Sequence, residues 1–146
     1  MPSEPIAVTD VLAELNTYWN VSNVVKPQLI EMTGDTDSIR IDLNRGDYLI
    51  GRPGSPTLEE TPVGNWKYVN RLYNVVVDIQ TKQNRQRLYD LMREIRKVCH
   101  ARASSLTNFQ RIQFMSFTEL TAEQVNLWSG TISLQLQNFA VTLETT

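Results

Sequence analysis

The sequence predicts an α+β domain: a largely antiparallel sheet with two main helices packed on one side and a long loop between strands. Three observations carry that expectation. Residues 72–79 alternate at period two, placing Tyr73, Val75, Val77 and Ile79 on one face of a strand. After Thr81-Lys82-Gln83-Asn84, the apolar residues Leu88, Leu91, Met92, Ile95, Val98 and Cys99 recur at helical spacing and form one continuous stripe. Further alternating runs lie on both sides of this strand–helix unit, and everything else must pack against it. A chain of 146 residues can build one real core, so residues 1–146 are read as a single domain.

The first helix draws its stripe from Val8, Leu12, Leu15 and Trp19, with Val11 and Tyr18 beside them. Thr9 or Asp10 is the expected cap, and Lys26-Pro27 stops the helix by about residues 20–22. Residues 28–32 form a short strand. The cluster Gly34-Asp35-Thr36-Asp37-Ser38 is a turn, and Ile39, Ile41 and Leu43 alternate as a half-buried strand. Asn44-Arg45-Gly46-Asp47 is read as a hairpin turn into Tyr48-Leu49-Ile50. Gly51-Arg52-Pro53-Gly54-Ser55-Pro56 then breaks regular structure, so residues 51–65 are expected to be an extended, functional loop. Residues 103–108 are a loop, 112–117 a strand, and 118–126 a connection with a helical turn over 121–125. From 127 to 136 a long strand points Ile132, Leu134 and Leu136 inward. At Asn138 the phase flips, and Phe139, Val141 and Leu143 carry the apolar face. A one-residue shift turns every side chain over, so Asn138 marks a bulge or a new segment. Residues 139–146 are therefore either a C-terminal arm pairing with a neighbouring chain or, more plainly, a bent final strand.

The formal net charge of −2 conceals an uneven distribution. Residues 82–102 hold seven basic and two acidic side chains, a surplus of five, while residues 1–60 hold ten acidic and four basic. A basic helix on an acidic chain can attract copies of itself or hold a face to nucleic acid. The single cysteine excludes an internal disulfide, and its place on the apolar stripe predicts a buried thiol. The start Met1-Pro2-Ser3-Glu4 is acidic where a secretory signal is basic, and no apolar run reaches spanning length. A soluble protein of a reducing compartment is expected.

No pattern for catalysis emerges. Cys99 and the only histidine, His100, are adjacent on a helix and point about a third of a turn apart, which suits neither a metal nor a nucleophile pair. Asp35, Asp37 and Asp42 lack the glycine and terminal glutamate of a calcium loop, and Gly51-Arg52-Pro53-Gly54 lacks the lysine of a phosphate-cradling loop. The expectation is a non-enzyme without cofactor or metal. Arg85 and Arg87 stand out because they crowd the positive end of the central helix, where cations are disfavoured. They are read either as solvated, mobile side chains or as having a partner off this chain, an acidic patch or a phosphate backbone. Trp66, Tyr68 and Trp128 offer a stacking surface for nucleic acid, but little basic charge interleaves them, which favours an interface role for Trp66.

Several runs resemble the tailed-phage neck and tail-completion proteins, tail terminators among them. They are Tyr73-Asn74-Val75-Val76-Val77-Asp78-Ile79-Gln80-Thr81, then Asn84-Arg85-Gln86-Arg87-Leu88-Tyr89-Asp90-Leu91 with Glu94-Ile95-Arg96-Lys97, and finally Leu127-Trp128-Ser129-Gly130-Thr131-Ile132-Ser133-Leu134. The order of elements is similar from about residue 26 to 143, through soft patterns and not an invariant signature. The resemblance implies a virion protein, assembled in the host cytoplasm, that forms a ring, usually hexameric, at the head-proximal end of the tail. Such a ring ends the tail tube, joins tail to neck or head, and lets DNA pass through its lumen without sequence specificity. Its partners would be copies of itself, the tube protein and a neck protein, with no membrane involved. In that setting Arg52, Trp66, Tyr68, Arg85, Arg87, Phe139 and Val141 are the candidate interface residues, and the acidic N-terminal half would complement the basic helix across the ring. The acidic N-terminal region with its own helix departs from the pattern, which leaves two positions open, terminator or adjoining connector. A small nucleic-acid-binding module is the reading from a different class.

Overall fold

Five strands form one sheet in the order β1-β2-β3-β5-β4 in a computed structural model that describes residues 3–32, 46–65, 67–120 and 127–144. The elements are α1 (Ala7–Tyr18), β1 (Gln28–Glu31), β2 (Tyr48–Val63), β3 (Tyr68–Thr81), α2 (Arg85–Ala101), β4 (Arg111–Leu120) and β5 (Trp128–Thr142). All pairings are antiparallel except β1 with β2. Both helices lie on one side, α1 over β1, β2 and β3, and α2 over β3, β4 and β5. The α+β architecture expected from the sequence is the one observed.

The strand–helix unit is the centre of the core. Tyr73, Val75, Val77 and Ile79 are buried along β3, facing Leu88, Leu91, Ile95, Val98 and Cys99 of α2. Each such side chain withdrawn from water contributes roughly 1.5–3 kcal/mol. Asn84 caps α2: its side-chain oxygen accepts from the Arg87 backbone N–H at 2.7 Å, satisfying a donor left free at the helix start. Val8, Val11, Leu12 and Leu15 bury the facing stripe of α1. The helix sits so close to β2 that a Cβ on Gly51 would lie 2.9 Å from Leu12 Cδ1. Neither Thr9 nor Asp10 caps α1. The helix begins at Ala7 without a side-chain cap bond, and Thr9 Oγ1 instead donates to the Glu31 carboxylate, tying α1 to β1.

The largest departure from expectation is residues 51–65. They are not an extended loop, because β2 continues to Val63 and pairs with β3 as far as Val63↔Tyr68. Prolines are tolerated there because β1 flanks β2 only up to the Glu31↔Gly51 pair. Beyond it no strand among the described residues flanks that edge of β2, and a missing N–H on that side breaks no ladder of theirs. The irregularity is confined to residues 54–57, which bulge opposite Asn74 between the pairs Pro53↔Val75 and Leu58↔Tyr73. Asn74 Nδ2 donates to Pro56 O at 2.8 Å across the bulge.

The phase flip at Asn138 is a bulge in β5. Asn138 pairs with Arg71 and Val141 with Val69, so β5 carries one residue more than β3 over that stretch, and Ala140 adopts φ 53°. The end of β5 thus pairs within its own chain to Thr142, which corrects the arm reading of residues 139–146 in favour of the bent strand. The expected strand at 39–43, residues 44–45 of the turn at 44–47, the helical turn at 121–125 and Trp66 lie outside the described residues.

Candidate assembly surfaces

The predicted interface residues do not gather at one place. β3 is 14 residues long, about 45 Å of extended chain, and they are spread along it. Tyr68, Phe139 and Val141 come together at one end. Arg85 and Arg87 sit beyond the other end, after Thr81. Arg52 is in between.

At the first end, the ends of β2 and β3 and the bent end of β5 lie side by side as a three-stranded tip. Tyr68 lies between Val63 and Thr142, and Val141 lies opposite Val69. Val63, Tyr68, Phe139 and Leu143 remain between 37% and 43% exposed. The tip is stiff. Arg71 pairs with Glu60 at 2.9 Å and Glu144 at 3.6 Å, and burial and these carboxylates act on its guanidinium in opposite senses, with a raised pKa as the net result. Asn70 Oδ1 accepts from the Ala140 N–H at 2.9 Å, and Gln110 bonds both backbone groups of Phe139. Val63 and Tyr68 pair and share one face of this end, so their exposed apolar surface is available for contact.

The two arginines at the start of α2, read as either solvated or held by a partner off the chain, both have carboxylate partners on their own chain. Arg85 forms a two-point fork on Glu119 of β4, 2.8 and 2.9 Å, and lies over the Tyr89 ring. The Arg85 hydrogen bond, and then that of the Tyr89 hydroxyl at 2.6 Å, hold the Glu119 carboxyl below its ordinary range. Arg87 is deeper. It reaches Asp47 at 2.6 Å and the Val25 carbonyl at 2.8 Å, with Asp47 only 3% exposed. These carboxylates stand 34 and 40 residues from their arginines in the chain, which is why helix electrostatics alone showed only the repulsion.

Arg52 is also paired internally, with Asp78 at 2.8 Å, whose other oxygen accepts from Thr131 at 2.9 Å. Both lie on the sheet face away from the helices. That face continues as a row of amides: Gln137 donates to Gln113 and Gln135, and Gln135 donates to Asn74. The buried Gln137 Oε1 has no partner among the described residues. Among the described residues, no group of three or more His, Cys, Asp or Glu side chains could hold a metal ion. Cys99 is buried, and burial pushes its thiol up to about 12.

Two features escaped sequence reasoning. One is a groove of about 400 Å³ beside the start of α1, where Ile6, Met32 and Leu58 form an exposed apolar rim. The other is the turn after α1, where Val21 and Val25 are 63% and 72% exposed. Valine carries no local signal that distinguishes an exposed position from a core one.

With this geometry in view, a solved structure described as the virion of a native gene transfer agent particle contains a chain of the same fold. The TM-score is 0.63 and the superposition spans 92% of this chain and 98% of that one. The likeness is one of fold. Sequence identity is 9%, and no protein-family model and no curated protein matches the chain.

Proposed function

We propose that this chain is a structural virion protein, a subunit of a six-membered ring at the head-proximal end of a phage-type tail. It ends the tail tube and joins the tail to the neck. The observation that carries the reading is the end-to-end match in fold to a virion chain, with nearly the full length of both included. The exposed Val63, Tyr68, Phe139 and Leu143 at one end of the sheet support it, since exposed apolar side chains there suit contact with a neighbouring subunit, tube or neck protein. DNA would pass through the lumen without sequence-specific contact. In this role the chain performs no catalysis and needs no cofactor.

The test is removal of the gene followed by electron microscopy of the lysate. Filled heads without tails, alongside free tubes of irregular length, are expected, with joining restored by the supplied protein. Particles with attached tails of normal length in its absence would refute the reading. Purified protein that adds to heads but not to tubes would instead place it as the adjoining connector.

A further inference from the structure

We draw no further inference here: the strongest candidate, the apolar groove of about 400 Å³ beside the start of α1 that Ile6, Met32 and Leu58 rim, carries none because nothing in the structure shows what covers it.

Discussion

Replacing Arg87 with alanine should remove about 3–5 kcal/mol of folding stability, whereas the same change at Arg85 should leave the unfolding midpoint almost unmoved. The two are neighbours at the start of one helix, and their surroundings differ. The Arg87 side chain is 12% exposed and its partner Asp47 3%, at 2.6 Å. Without the guanidinium, Asp47 keeps, among the described residues, a long 3.4 Å contact from Gln83, and Val25 O loses the Arg87 donor. A carboxylate stranded in that way carries its full desolvation cost. Arg85 is 64% exposed, and Glu119 retains the Tyr89 hydroxyl when Arg85 is removed. For a domain of this size the Arg87 loss corresponds to a Tm lower by roughly 10–15 °C. Urea unfolding followed by circular dichroism, at concentrations where the protein is monomeric, measures both variants. A D47L, R87L double variant should recover much of the loss, since apolar groups can replace a buried ion pair at little cost. An Arg87→Ala variant within about 1 kcal/mol of wild type would refute the reasoning, as would an Arg85→Ala variant equally damaging.

Gly54→Ala should cost about 1–3 kcal/mol, because the new Cβ would lie 2.6 Å from Asn74 Cβ and 3.0 Å from its backbone C and O, so β3 itself must yield. An unchanged urea midpoint would mean that the 54–57 bulge can shift freely. Stability should also fall at high pH. Burial raises the Cys99 thiol from 9.0 to about 12, and burial followed by the Glu4 hydrogen bond raises the Tyr73 phenol from 10.0 to about 12. The unfolded chain releases these protons first, so their contribution is intact below pH 9 and is lost as the pH climbs to 12. A stability curve flat to pH 12 would contradict the burial of both groups, and a C99A, Y73F variant should show a shallower fall.

Elements built on a strong local period were legible in the sequence. The buried faces of β3 and α2 are the ones read from alternation and from helical spacing, down to Cys99. The bulge at Asn138 was legible too, because a change of phase is a local event. Residues 51–65 were misread for a definite reason. Glycine and proline report what a residue does to its own backbone, and three prolines weigh against a strand. Whether a missing N–H matters depends on what lies alongside, and β1 stops at Glu31, before the prolines begin. Of the candidate interface residues, Tyr68, Phe139 and Val141 lie at one end of the sheet, while Arg52, Arg85 and Arg87 are held by carboxylates of their own chain, which no local window of sequence shows.

By itself the sequence determined which residues are apolar and at what period, and hence the number and type of the main elements and the face each buries. Those are properties of windows of about ten residues, where a side chain's direction follows from backbone geometry alone. Tertiary structure decided the rest. It brought Glu119 and Asp47 to the arginines of α2, ended the β1–β2 pairing among the described residues before the prolines begin, and left Val21 and Val25 exposed at one end of α1 with an apolar groove at the other. Each depends on chain closure over tens of residues, and the energy that fixes it comes from partners no local window contains.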